Sequence, residues 1–168
     1  MTKNEPFNWK IRWCVEKYAN EEAFKANALD DCIIDEGNLI VYGGYSALWD
    51  LLIGAANVSA FNNSNAHIGV GDDDTSAAIG QTDLQAVSNT FYSPMASTYP
   101  QHTDGTGESN ASLVFRSTFG ADDANFAWEE WGIFNASTSG RMLNRRVAVL
   151  GTKANPAIWT FTVTLSDS

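Results

Sequence analysis

The chain has 168 residues, of which 44% are apolar and 12% aromatic, and it carries a formal net charge of -10. These values argue against disorder and fit one domain, residues 1–168, that can bury a core without metal or disulfides. Ten Lys and Arg against twenty Asp and Glu argue against a nucleic-acid partner, because phosphates are bound by clustered basic side chains.

Neither a membrane segment nor a signal peptide is predicted. No apolar stretch approaches the roughly twenty residues that span a bilayer, and the N-terminus from Met1 to Pro6 has no apolar core. Synthesis in a cytoplasm, without export by a signal peptide, is therefore expected. Cys14 and Cys32 fit no metal-ligand spacing and are expected to be free thiols.

The N-terminal part of the chain predicts three strands. Apolar side chains alternate with polar ones from Phe7 to Val15, which is the period of a half-buried antiparallel strand. A loop or short helical turn at 18–28 follows. Short strands are then expected from Ile33–Ile34 and at Leu39–Val41, on either side of a turn.

One helix is predicted after these strands. Leu48, Leu51 and Leu52 recur at the spacing of a helix face, so these leucines should pack against the sheets. The helix should begin near Tyr45, after two glycines that break the strand pattern, and end at Gly54.

The rest of the chain predicts further antiparallel strands. They are expected at 67–71, 91–92, 111–119, 126–134, 143–149 and 158–165, with a long polar loop at 93–108. The predicted fold class is mainly β, an antiparallel β-sandwich or barrel with one short α-helix. Residues 1–35 are also candidates for an N-terminal strand extension that contacts neighbouring chains. The predicted core comprises Trp9, Trp13, Leu48, Leu52, Trp128, Trp159 and Phe161.

Glu129 and Glu130 are adjacent carboxylates, and glycosidases use paired carboxylates in catalysis. Adjacent strand residues point to opposite faces, so these two cannot flank one bond. We expect one of them to point inward and to form a structural ion pair with Arg145 or Arg146, because a buried carboxylate without a partner is strongly penalised. No catalytic residue is assigned, and an enzyme is not expected.

The run Asp72–Asp74 is the densest acidic cluster. An EF-hand is excluded, because position six of the loop is not Gly and position twelve, Asp83, is not Glu. A solvated turn and an irregular calcium site both remain open. The two histidines, His67 and His102, match no catalytic triad or metal motif, so neither a cofactor nor a metal is assigned.

Aromatic side chains suggest a recognition surface. Tyr92, Tyr99 and Trp131 could stack on a sugar ring, and packing in the core is the alternative. The long loop and the N-terminal residues are the segments expected to contact a neighbouring chain. The candidate interface residues are Thr2, Pro6, Phe7, Tyr92, Tyr99 and His102.

Several motifs follow one another in order within residues 36–165. They are Asn65–Asp72, Thr75–Ala78, Gln81–Ala86, Asn125–Asn135, Met142–Val147, Leu150–Lys153 and Trp159–Leu165. This order resembles a segment of structural proteins of tailed bacteriophages. There, a short strand ending in Gly-x-Gly precedes a Thr/Ala-rich turn and a Thr-Asp-x-Leu step, and a Glu-x-Gly-hydrophobic-Phe-Asn strand belongs to the same family.

The resemblance implies a non-enzymatic virion component that is assembled in the cytoplasm of a bacterial host. The expected role is that of a capsid decoration, or cement, protein that stabilises the shell by binding the major capsid protein or other virion proteins. A homo-oligomer is expected, with a trimer favoured, and no nucleic-acid or membrane partner. The alternative is a tail or fibre module that binds a host receptor or glycan.

Overall fold

The computed structural model of the chain describes residues 9–106 and 110–167. Ten strands and two helices lie within these ranges. The strands are β1 (Trp9–Tyr18), β2 (Asp31–Glu36), β3 (Leu39–Ile40), β4 (His67–Gly71), β5 (Thr90–Pro94), β6 (Gln101–Thr103), β7 (Ser112–Phe119), β8 (Ala127–Phe134), β9 (Met142–Thr152) and β10 (Ile158–Asp167). The helices are α1 (Glu21–Lys25) and α2 (Tyr42–Leu52). Neither helix is long and apolar enough to cross a membrane, and they are the only ones in the described ranges.

The strands form two antiparallel sheets of five strands each, packed face to face. Sheet A has the order β2-β1-β10-β7-β6, and sheet B has the order β3-β9-β8-β4-β5. A bridge between Met95 and Ser117 joins the sheets along one side. The predicted mainly β sandwich is confirmed. It has a second short helix, α1, in the region predicted as a loop or helical turn, and β6 lies within the predicted long loop.

Strand β1 lies inside sheet A, between β2 and β10. It pairs with β10 at ten positions, and its alternating residues Ile11, Trp13 and Val15 are buried. Residues 1–35 were candidates for an extension that contacts neighbouring chains. Within the described part of this segment, β1 instead belongs to the domain's own sheet. Three candidate interface residues, Thr2, Pro6 and Phe7, lie outside the described residues.

Aromatic side chains fill the core between the sheets. Trp128 packs edge-on against Trp159, with 4.7 Å between the ring centroids, and stacks on Phe161 at 6.5 Å. Trp13 contacts Phe161 at 6.1 Å and Trp131 at 6.0 Å. Of the predicted core residues, Trp13, Trp128, Trp159 and Phe161 are buried, and Trp9 and Leu48 are partly buried against the same cluster.

A β-bulge in β9 faces the segment of β8 that carries its two tryptophans. Trp128 and Trp131 both reach the core although they are three positions apart, which a regular strand would not allow. The pairing of β8 with β9 shifts between these tryptophans, where the two-residue step from Trp128 to Glu130 faces a four-residue step from Gly151 to Val147. The regular alternation of β8 is therefore interrupted at the point where its inward direction changes. Trp131 is fully buried, and the hypothesis that it stacks on a sugar is therefore wrong.

Helix α2 begins three residues before the predicted start and includes both glycines that the sequence pattern places ahead of it. Gly44 and Ala47 are its buried residues, and a Cβ at Gly44 would overlap the backbone of Leu143 in β9. The helix packs on sheet B through its smallest side chains, because only these permit so close an approach. The prediction that Leu52 belongs to the core is wrong, since this side chain is 75% exposed.

Replacing Gly44 by Ala should destabilise the fold by about 1–3 kcal/mol, because the added methyl group pushes α2 away from β9. The adjacent Gly43 is the matched control, since a Cβ there meets the Met142 carbonyl oxygen at an ordinary 3.6 Å. Gly43→Ala should stabilise the helix by up to about 1 kcal/mol. Urea unfolding of both variants measures the difference, and equal effects at the two positions would contradict this packing.

The two thiols lie on neighbouring strands of sheet A. Cys14 on β1 and Cys32 on β2 have their sulfur atoms 3.1 Å apart, and both cysteines are free and half-buried. Burial raises the pKa of the Cys14 thiol to about 12, so this thiol stays protonated at neutral pH.

Candidate functional site

The segment 72–86 folds back over the outer face of β8 and is held there by Glu130. The carboxylate of Glu130 accepts hydrogen bonds from the backbone N–H groups of Gln85, at 2.9 and 3.0 Å, and Ala86, at 2.8 Å. The side chain has no exposed surface. Because a buried carboxylate needs both a cation and hydrogen-bond donors, these two N–H groups supply part of what burial requires.

Arg145 on β9 supplies the cation and binds the other end of the same segment. Its Nε donates to Glu130 Oε2 at 2.6 Å, and both side chains are completely buried. Its Nη1 donates to the Thr75 carbonyl at 2.7 Å and to Gln81 Oε1 at 3.1 Å. The Glu130–Arg145 pair and these partners, called here the Glu130–Arg145 network, therefore fix the segment at three points.

The other charged residues of the predicted ion pair lie apart from this network. Arg146 contacts Asp35 of β2 at 3.2 Å, and both side chains reach solvent. Glu129 lies opposite the bulge of β9 and is half-buried. The sequence allowed four pairings of a glutamate with an arginine, and the structure forms the one that joins Glu130 to Arg145.

The carboxylates of Asp72 and Asp73 bind different partners. Asp73 accepts a 2.8 Å hydrogen bond from the Thr75 N–H and lies 3.4 Å from Arg145, whereas Asp72 accepts one from Asn89. The hydrogen bonds from Thr75, with a smaller effect of Arg145, hold the pKa of Asp73 below its usual value. Among the residues that the structure describes, no group of three or more His, Cys, Asp or Glu could hold a metal ion.

EDTA should leave the melting temperature of the purified chain unchanged, and added calcium should not raise it, because Asp72 and Asp73 do not converge on one point. Differential scanning calorimetry in EDTA and in calcium provides the test, with Asp74→Asn as the matched variant. A melting temperature that falls by several degrees in EDTA and is restored by calcium would reveal a calcium site.

Tyr92 on β5 borders a cavity of about 320 Å³ on the outer side of sheet B. Its hydroxyl donates a 2.6 Å hydrogen bond to Asp83 Oδ1, and its ring packs edge-on against Phe134. The pKa of the Tyr92 hydroxyl is raised above its usual range, mainly because the group is buried and to a smaller extent because of its hydrogen bond to Asp83. The small polar residues of 136–140 complete the wall of this cavity.

Tyr99 and His102 lie at separate places and do not form one surface with Tyr92. Tyr99 is partly buried against the main core, and its carbonyl accepts a 2.6 Å hydrogen bond from Asn63. His102 is exposed on β6 and lines a second, apolar cavity of about 290 Å³ with Trp9 and Leu165.

Lys153 is a buried charge that the sequence pattern did not single out. Its ammonium donates to the Gly120 carbonyl at 2.6 Å and to Asn125 Oδ1 at 3.1 Å. Burial lowers the pKa of this lysine. No signal near Lys153 predicts this contact, because both partners lie in the loop before β8, about thirty residues earlier in the chain.

The Glu130–Arg145 network and Lys153 have the same structural role, because in both a buried charged side chain forms hydrogen bonds with loop backbone. None of the three residues Glu130, Arg145 and Lys153 lines the two cavities described above. Comparisons with protein-family models, with curated proteins and with solved structures found no match to this chain.

Proposed function

We propose that the chain is a non-enzymatic structural component of a tailed-phage virion, a capsid decoration protein that stabilises the shell. The observation that carries this proposal is the use of the buried charges. Glu130, Arg145 and Lys153 all form hydrogen bonds with loop backbone. Burying these charges is costly, and what they stabilise is the conformation of the loops. The motif order that resembles phage structural proteins supports the same role.

A fixed shape suits a protein that binds an assembled shell. A binder that contacts only the assembled state shifts the equilibrium toward that state, and a surface ordered before binding loses little conformational entropy on docking. The segment 72–86 would be a long loop without the Glu130–Arg145 network, and its two ends are held at Thr75 and Ala86.

The composition of the surface also supports a role in assembly. Two of the four edge strands, β3 and β6, have only two and three residues and offer little room for strand addition, whereas the other two, β2 and β5, have six and five. Exposed apolar side chains offer a further means of contact with other virion proteins. The large apolar side chains exposed on the described surface are Leu29, Ile34, Tyr42, Tyr45, Trp49, Leu52, Ile53, Ile79, Val87 and Val149.

Binding to shells tests the proposal. Purified chain is mixed with empty shells of the phage that encodes it, and bound chain is measured by co-sedimentation. Saturable binding at many sites over the head is expected, together with a higher melting temperature of the shell. Labelled chain that is found by electron microscopy only on tails or fibres would contradict a decoration role.

A scan of exposed apolar positions adds a control for specific contact. Ile34→Glu, Val87→Glu and Val149→Glu each place a charge on the surface without touching the core. At least one of them should weaken shell binding by about 10-fold or more while the melting temperature of the isolated chain stays the same. Unchanged binding in all three variants would place the contact elsewhere.

The second candidate function is a tail or fibre module that binds a host receptor or glycan. The observation that favours it is the cavity beside Tyr92, where an aromatic ring, the Asp83 carboxylate and the hydroxyl groups of 137–139 adjoin one another. Sugars are bound by this combination of ring and polar groups. Asp83→Asn should then abolish adsorption of particles to host cells, whereas the same change in a decoration protein should leave adsorption unchanged.

A further inference from the structure

Helix α2 has apolar side chains on two opposite sides. One side, with Gly44 and Ala47, packs on sheet B. The other side carries five large side chains spaced three, four, three and one residues apart, so that they share one face of the helix. These residues, called here the α2 stripe, are between 45% and 77% exposed. They are Tyr42, Tyr45, Trp49, Leu52 and Ile53.

A helix with large apolar side chains on more than one side normally has each of those sides covered. The α2 stripe exposes on the order of 600 Å² of apolar surface, which is the upper end of what a free monomer shows in one patch. A stable interface buries about 800 Å² on each partner, of which about 500 Å² is apolar. The stripe is therefore large enough to form an interface by itself.

The charged residues of α2 argue against two kinds of partner for the stripe, a basic protein and an anionic membrane surface. Asp50 is the single charged residue of α2, and its carboxylate is bound by Arg141 at 2.5 Å. The stripe thus offers no free acidic group to a basic protein. It also lacks the Lys and Arg residues with which interfacial helices bind anionic lipids, and a chain of net charge -10 is repelled by such a surface.

We propose that the α2 stripe binds the α2 stripe of a second copy of this chain, with the two helices antiparallel about a two-fold axis. Tyr42 and Tyr45 occupy the N-terminal half of the stripe, and Leu52 and Ile53 occupy the C-terminal end. A two-fold axis near the middle of the helix places the aromatic half of one copy on the aliphatic end of the other. Such an interface is self-complementary and closes at two copies.

Ionic strength should reveal this pairing. Each copy carries a net charge of -10, so repulsion between copies opposes association and is screened by salt. Dimerisation should therefore strengthen as salt increases. Binding of a basic partner would weaken under the same change.

Sedimentation equilibrium of the full chain between about 1 and 100 µM measures the pairing. The wild type should form dimers, and Leu52→Glu should raise the dissociation constant at least 100-fold, because the charge enters the interface twice. Val149→Glu is the matched control, since Val149 is equally exposed on β9 and should leave the dimer unchanged. Equal melting temperatures at low concentration would show that both variants fold.

Mixing two defective variants tests the antiparallel register. Tyr42→Lys and Leu52→Glu should each be monomeric alone and form a heterodimer together, because the axis brings position 42 of one copy to position 52 of the other. Leu52→Lys mixed with Leu52→Glu should stay monomeric, and dimers from this second mixture would overturn the register.

Two further outcomes would overturn the pairing itself: a wild-type monomer or trimer throughout the range, or a Leu52→Glu dimer as tight as the wild type. A wild-type monomer that binds shells, with binding lost in Leu52→Glu, would assign the stripe to a capsid subunit instead. The sedimentation measurement uses no shells, so its outcome is independent of the proposed virion role.

Discussion

Arg145→Met should lower the free energy of unfolding by about 3–5 kcal/mol, because it leaves the Glu130 carboxylate buried without its cation. The change also removes the donors that bind Thr75 and Gln81, so one end of the segment 72–86 loses its attachment. Urea unfolding followed by tryptophan fluorescence measures the loss.

Arg146→Met is the matched control, one residue away. Arg146 pairs with Asp35 where both side chains reach solvent, and exposed pairs contribute only about 0–1 kcal/mol. Adding Glu130→Gln to Arg145→Met should recover part of the stability, since the buried charge is then gone. Similar losses for the two single arginine variants would show that the Glu130–Arg145 pair contributes no more than a surface contact.

Trp159→Ala should also cost about 3–5 kcal/mol of unfolding free energy. Trp159 is 5% exposed and packs edge-on against Trp128, so truncation leaves a cavity at the centre of the aromatic core. The measurement is again urea unfolding, at a protein concentration low enough that association between copies does not contribute.

Trp49→Ala is the control for residue type. Trp49 is 63% exposed on α2, and its truncation should change the stability of the monomer by no more than about 0.5 kcal/mol. It should nevertheless weaken dimerisation, because Trp49 lies near the centre of the α2 stripe. A loss at Trp49 comparable with that at Trp159 would mean that α2 is packed more deeply than its exposure indicates.

The sequence predicted the strands whose two faces meet different surroundings. In β1, Trp13 and Val15 face the core and are buried, while Arg12 on the opposite face is not. Because successive side chains of a strand point to opposite faces, a strand with one buried and one exposed face has alternating apolar and polar residues. The edge strand β6, three residues long, has too few positions for any period to be visible.

Burial on both faces of β8 could not be predicted. The inner face meets sheet A, and the outer face is covered by the segment 72–86, which reaches Glu130 from about 45 residues earlier in the chain. Alternation is lost when both faces are covered. For this reason the sequence left the glutamate and arginine pairing open and kept Trp131 as an exposed candidate.

The orientation of α2 was mispredicted for a related reason. The spacing of Leu48, Leu51 and Leu52 indicates a face for the core, if apolar side chains are assumed to point inward. The helix is buried at Gly44 and Ala47, because close contact with β9 leaves no room for larger residues there. Of the three leucines, Leu48 packs against the core while Leu52 is exposed. Amino-acid patterns distinguish apolar from polar faces, but they do not say which of two apolar faces a partner covers.

Sheet A cannot form completely until β10 has left the ribosome, because β1 pairs along its full length with β10. At about 5–20 residues per second, the roughly 140 residues between these strands take about 7–28 s to synthesise. During that time the edge of β1 that pairs with β10 is open and can pair with other nascent chains. Translation that stops before residue 158 therefore yields an aggregation-prone chain instead of a smaller domain.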